Sequence, residues 1–285
     1  MDVRIIWHSN IFSETATGIK DALFLMGIDA DGDILSDRCC EFEEAYPNNK
    51  NTLFIILGIH RSTPKLPSNY IAVQMEQPGS KWFSQDYFDK LSCARAVWDF
   101  SPRNVHYLRN EGLTNVYLVP TRVPMRSYVL ETIDKKQDID VLFYGANHPR
   151  RKAIEDSLKK SKLNVVFRYY SLFDSDRDAL ISRAKVVLNI HFWTESSLET
   201  HRIEYLCSKG KCVISEYSKD PDLDNIYKES IVFCGYNAMV KQVHRYCRNF
   251  KIRKEMEYNA YHTSMKRQLD TNHILNSLVL IRPCI

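Results

Sequence analysis

Residues 184–216 read AKVVLNIHFWTESSLETHRIEYLCSKGKCVISE, and their order of residue types decides the fold. Residues 186–190 form a short apolar run closed by His191, the pattern of a strand buried on both faces. A polar loop follows, then a helical stretch over about 198–209 that carries Glu199 and Arg202. Gly210 and a second apolar run, 212–215, lead to Glu216. Strand, helix, glycine and strand within about 30 residues make a βαβ unit, which requires a parallel sheet.

The same alternation extends outward in both directions. Upstream lie apolar runs at 139–144 and 163–169, with helical patterns near 151–160 and 176–184. Downstream, residues 231–234 read as a strand, and helical periodicity dominates 238–280. Residues 120–137 break the pattern with two prolines and a Lys-Lys pair. Before that break, short β-rich runs at 3–7, 52–59, 70–74, 96–99 and 116–119 alternate with helical stretches at 17–26, 84–92 and 102–110. Ser101-Pro102 starts the last of these helices, with serine as the cap and proline in the tolerant first turn. The expected fold is α/β, with two Rossmann-like parallel-sheet domains, 1–132 and 138–285, facing a central cleft.

Composition narrows the function. The 285 residues are 44% hydrophobic and 26% charged, enough apolar material for one large core or two small ones. The longest apolar runs, 53–59 and 186–190, fall far short of the ~20 residues of a membrane span. The N-terminus lacks the apolar stretch of a secretory leader, so a soluble, cytoplasmic protein is expected. The net charge of +4 is too small to demand nucleic acid and sufficient for an anionic small ligand. None of the eight cysteines are spaced as a Cys-x-x-Cys pair, which favours free thiols over zinc. Asp29-Ala-Asp31-Gly-Asp33 resembles a calcium loop, but Ile34 stands where glycine is needed. No dinucleotide, P-loop or nucleophile-elbow motif follows a strand.

Ligands of open α/β sheets bind beyond the carboxyl ends of the strands, so the polar residues there are the candidates. Glu199 and Arg202, three apart near a helix start, could hold a ribose diol and a diphosphate. Ser196-x-x-Glu199 equally matches a capping box, with Arg202 an i,i+3 partner of the glutamate. After the strand ending at Tyr144, Gly145 permits a tight turn and Arg150-Arg151 begin a helix. Cations are unfavourable in a first helical turn, which tilts this pair toward phosphate binding. In the N-terminal half, Glu76 and Asp99 each follow a strand, and either is a general base or a loop cap. His60 and His191 also end strands.

Residues 184–216 resemble the donor-binding segment of GT-B fold glycosyltransferases of the group 1 type: an Asn-x-His strand end, Glu-x-x-Arg on a helix, and a Val-x-Ser-Glu strand end. FYGANHPRRKAI, VQMEQPGSKW and VWDFSPRN resemble further segments of that family in the same order, over most of residues 70–235. Lys211-Cys212-Val213 stands where the better-known members have Gly-x-Pro-Val, which leaves open how two glutamates divide their roles and whether the anomeric centre is retained or inverted.

The resemblance implies a sugar transfer from a nucleotide diphosphate donor to a hydroxyl of a glycan or glycoconjugate. Glu199 would hold the ribose, Arg202 would support it or the diphosphate, and Arg150 or Arg151 would contact the diphosphate above Tyr144 and Gly145. His191 would face the sugar or phosphate, and Ser215 and Glu216 would close the nucleotide pocket. Glu76, Asp99 and His191 form the catalytic set, with no cofactor beyond the donor and no essential metal. The expected partners are donor and acceptor, without nucleic acid or a transmembrane segment, and a homodimer is compatible with the chain. The alternative is a non-catalytic nucleotide- or sugar-binding module on the same fold.

Overall fold

The computed structural model describes residues 2–34, 46, 51–61, 66–128, 137–170, 172, 174–194 and 196–281. It divides into two compact units. Unit 1 is Met1–Met125 together with Arg267–Ile285, and unit 2 is Arg126–Lys266. The expected boundary between 132 and 138 falls largely on residues outside those described. Against the expected 138–285 domain, the division groups Arg267–Ile285 with unit 1.

Unit 1 contains β1 (Asp2–Trp7), α1 (Ser13–Leu25), β2 (Asp31–Ile34), β3 (Thr52–Leu57), β4 (Tyr70–Gln74), α2 (Gln85–Cys93), β5 (Ala96–Asp99), α3 (Pro102–Asn110) and β6 (Val116–Leu118). All described pairings are parallel, in the order β2-β1-β3-β4-β5-β6. The continuous apolar run of β3 is explained by helices on both faces: every one of its six residues is buried. Leu53, Ile55 and Leu57 pack with Ile19, Leu23 and Trp98 on one face. Phe54 and Ile56 pack with Tyr87, Leu91 and Leu108 on the other. Ser101 caps α3 by accepting the Asn104 N–H at 3.1 Å. The apparent calcium loop is the exposed edge strand β2.

Unit 2 contains β7 (Ile139–Gly145), α4 (Pro149–Lys159), β8 (Val165–Tyr169), α5 (Asp174–Arg183), β9 (Ala184–Asn189), α6 (Thr200–Ser208), β10 (Cys212–Glu216), α7 (Pro221–Tyr227), β11 (Val232–Cys234) and α8 (Met239–Arg248). The long helix α9 (Phe250–Leu269) lies in unit 2 up to Lys266, and its last turn and α10 (Asn272–Leu280) belong to unit 1. The sheet order is β11-β10-β9-β7-β8, with all described pairs parallel. The chain therefore reverses direction between β7 and β9, a topological switch point whose carboxyl edge opens a crevice for ligands.

The return of the chain to unit 1 is fixed by Arg122, which is 1% exposed. Its guanidinium donates to the carbonyls of Arg267, Gln268 and Asp270 at 3.1, 2.9 and 2.7 Å, capping the end of α9. Gln268 ties the same place together, donating to Thr121 O and accepting from Val123 N. Ile274 of α10 then completes the core beside Ile19 and Leu23.

Candidate functional site

The carboxyl ends of β7 and β9 carry most of the side chains singled out from the sequence. Gly145 closes β7 with φ +144°, and a Cβ there would stand 3.0 Å from Arg202 Nη2 and 3.6 Å from Arg151 Nη1. Absence of a side chain at this position lets two guanidinium groups approach the turn. His148 caps α4 by accepting the Arg150 N–H at 3.4 Å, and Pro149 occupies the first turn. The misfit of two arginines at a helix start is resolved by where their side chains go.

Arg150 makes a fork onto Glu216, at 3.1 Å to Oε1 and 2.6 Å to Oε2, and Nη1 also donates to His191 O at 3.0 Å. It lies over the Tyr236 ring, whose hydroxyl donates to Arg150 O at 2.7 Å. Arg151 is buried: Nε and Nη2 donate to Ile190 O at 3.0 and 2.8 Å, and Nη1 to Ala146 O at 2.8 Å. Burial, reinforced by the Arg202 charge, pulls its pKa down to about 10. Both arginines thus hold the loops that follow β7, β9 and β10. Arg202 is differently placed: Nη1 donates to Asn189 Oδ1 at 3.1 Å, and the guanidinium lies 5.2 Å from the Tyr144 ring centre.

Glu199 is the residue before α6, with φ −77° and ψ 67°, and its side chain does not cap the helix. The capping-box reading fails on this geometry, because Ser196 instead closes a turn with the N–H and carbonyl of Trp193. The expected placement of Glu199 on the helix itself is corrected by one residue. Its Oε2 accepts from Asn189 Nδ2 at 2.7 Å and faces His191 Nδ1 at 2.8 Å. Burial raises the Glu199 pKa, but the His191 hydrogen bond and charge, Arg202 and Asn189 outweigh it and bring the value to about 2.

His191 is 1% exposed. Its Nε2 meets Tyr217 O at 3.2 Å, so both ring nitrogens face acceptors, an arrangement that only the imidazolium satisfies. Burial lowers its pKa, while Glu199, Glu216 and the Tyr217 carbonyl together raise it above the ordinary value. Both ring nitrogens of His191, expected in the catalytic set, are engaged within the chain, and the side chain is buried. Glu216 takes the His191 N–H at 3.0 Å besides the Arg150 fork, and Ser215 Oγ accepts from Asn189 Nδ2 at 3.0 Å.

Asn189 enters the sequence reading only as the first residue of the Asn-x-His strand end, with no role of its own. Fully buried at the end of β9, its amide donates to Glu199 and Ser215 and accepts from Arg202, joining three candidate residues at one point. A polar amide closing an otherwise apolar strand was the available signal.

Glu76 and Asp99 lie in unit 1, at the carboxyl ends of β4 and β5, and are linked through Gln74. Gln74 Nε2 donates to Asp99 Oδ2 and to Glu76 O, both at 2.8 Å. Asp99 is 1% exposed, and Oδ1 accepts from Ser101 N at 2.8 Å and Asn104 Nδ2 at 3.4 Å. Both carboxylate oxygens of Asp99 are therefore engaged, Oδ1 at the β5–α3 turn and Oδ2 by Gln74. Glu76 is more open, with Oε1 3.4 Å from His60 Nε2. The His60 ring sits among Phe12, Trp82 and Tyr87.

Set against solved structures, the chain has the GT-B fold of glycosyltransferases. HepE of Anabaena in complex with UDP and glucose superposes with a TM-score of 0.66 at 9% identity, covering 98% of this chain and 99% of that one. Sucrose-phosphate synthase of Thermosynechococcus elongatus gives 0.61 at 12% identity, covering 99% and 100%. A variant of phage T4 BGT in complex with UDP-glucose gives 0.57 at 14%, covering 99% of each. No protein-family model matches the chain. Among curated proteins, the uncharacterized protein L140 of Acanthamoeba polyphaga mimivirus is 28% identical over 179 residues, 61% of this chain and 58% of its own length. The uncharacterized protein L138 of the same virus is 27% identical over 138 residues, 47% of this chain. The match spans 16% of L138, so these relatives extend well beyond the part shared with this chain.

Proposed function

We propose that this chain is a glycosyltransferase that moves a sugar from a nucleoside diphosphate donor to a hydroxyl of a glycan or glycoconjugate. Unit 2 holds the donor and unit 1 takes the acceptor. The observation that carries the proposal is the convergence, at the switch point of unit 2, of a glycine turn, the start of α4 and the Arg202 guanidinium. That combination suits a diphosphate: a helix start favours an anion, and arginine adds a forked, permanently charged donor. Glu199, held ionised beside it, is an acceptor for the donor's hydroxyls.

The reaction breaks the bond between the anomeric carbon and the diphosphate oxygen and joins that carbon to the acceptor oxygen. Glu76 takes the acceptor proton, with His60 beside it to share the charge. Arg202 stabilises the negative charge that grows on the leaving diphosphate, and no metal is assigned to this step. Asn189 and His191 keep Glu199 and Arg202 in register and touch neither reacting atom.

A second reading, a nucleotide-binding module without catalysis, draws on the engagement of Asp99 and His191, which leaves Glu76 as the open carboxylate of the expected set. Calorimetry with UDP, GDP and dTDP, followed by assay of sugar release from the donor that binds, tests both. Binding with turnover supports the transferase, binding without any turnover supports the module, and failure of all three nucleotides to bind at millimolar concentration rejects the two together.

A further inference from the structure

Beyond the charged crevice, the loop that follows β9 carries an aromatic corner beside the start of α4. Trp193 is 64% exposed. It stands edge-to-face on Phe192, with ring centres 4.6 Å apart and planes at 80°. His148, the cap of α4, lies 4.5 Å from Phe192 and 5.7 Å from Trp193. Phe192 in turn lies 5.2 Å from the Arg151 guanidinium, whose Nη1 borders the Gly145 turn. A continuous path of touching groups therefore runs from the diphosphate crevice to the indole of Trp193. Keeping a tryptophan this exposed sets aside much of the stabilisation that its burial would give.

The geometry points to this corner as the subsite for the donor's pyranose ring, an inference that rests on the donor reading given above. A sugar ring has an apolar C–H face and a rim of hydroxyls. Trp193 offers the flat apolar face. Neither Trp193 Nε1 nor His148 Nε2 takes a hydrogen-bond partner among the described residues, so both are placed to meet the hydroxyl rim. The rings meet at steep angles and form a step, not the parallel walls that would sandwich a nucleobase. His148 sits at the start of α4, so a ring bound at the corner is one substituent away from an anion held by that helix end.

The test compares binding of UDP with UDP-glucose, and GDP with GDP-mannose, to the full chain and to its Trp193→Ala variant by calorimetry. The substitution removes an exposed side chain, and retained binding of the bare nucleotide reports an intact crevice. The sugar nucleotide is expected to bind roughly 3- to 10-fold more weakly in the variant while the bare nucleotide is unchanged. An equal loss for both ligands would assign the corner to the nucleoside and overturn the inference, and so would no loss for either. If the unmodified chain binds none of the four, the donor reading itself falls, an outcome separable from the other two.

Discussion

Replacing Glu199 with glutamine removes one of two charges that the fold holds 2.8 Å apart. The carboxyl pKa of about 2, against the ordinary 4.5, corresponds to about 3 kcal/mol of stabilisation of the ionised form in the folded chain. That contribution is present above pH 4.5 and is lost as pH falls through 2. The His191 pKa is raised, so its contribution is complete below its unfolded value of 6.5 and fades as pH rises through the folded value. Without the carboxylate, the largest influences that raise the ring's pKa are lost, so the pKa of His191 falls relative to the wild type. The expected cost of Glu199→Gln is therefore about 3 kcal/mol at pH 5 to 6 and shrinks as pH rises beyond the wild-type His191 midpoint. Urea denaturation followed by circular dichroism at a series of pH values measures the cost. A histidine-selective NMR titration, assigned with His191→Asn, measures the ring directly. A cost that stays constant across pH, or a ring whose midpoint is unchanged in the variant, would refute the paired-charge account.

Three further outcomes follow from the same geometry. Arg202→Ala removes a charge-assisted contact worth about 1.5–3 kcal/mol, so calorimetry should show nucleoside diphosphate binding weakened roughly 10- to 100-fold. Melting temperature should change little, because Arg202 is partly exposed; unaltered binding would transfer the diphosphate role to Arg150 or Arg151. Glu76→Gln should leave donor affinity intact while turnover falls roughly 100- to 10,000-fold, and normal turnover would remove Glu76 from the reaction. Transfer activity should persist in EDTA, since arginine is assigned the leaving-group charge; complete loss restored by magnesium or manganese would contradict that assignment.

Much of this molecule can be read from local patterns, and the remainder has identifiable reasons for escaping them. Apolar runs such as 52–57 and 186–190 announced buried parallel strands because both faces of each sheet are covered. Ser101-Pro102 marked a helix start because cap and first turn are properties of adjacent residues. The strand Asp31–Ile34 was not legible: its side chains are exposed on a sheet edge, so no apolar alternation records it. The Arg150–Glu216 fork joins residues 66 positions apart, and nothing local distinguishes it from a phosphate-binding arginine. Asn189 was hidden for a related reason, since its three partners come from β10, the residue before α6 and α6 itself. Helical periodicity identified 238–280 as helical without revealing which unit each helix joins.

The anchoring of α9 by Arg122 bears on the order in which the protein assembles on the ribosome. Residues 1–125 precede unit 2 in the chain, but the helix that finishes their packing is encoded after all of unit 2. At ~5–20 residues per second, the early segment waits on the order of 10–30 s for its last piece. Throughout that interval the seat of Ile274, beside Ile19 and Leu23, stands open to solvent and to chaperones. Unit 2, contiguous in the chain, has every residue it needs before α10 is made, so vectorial synthesis favours a unit 2 that matures ahead of unit 1.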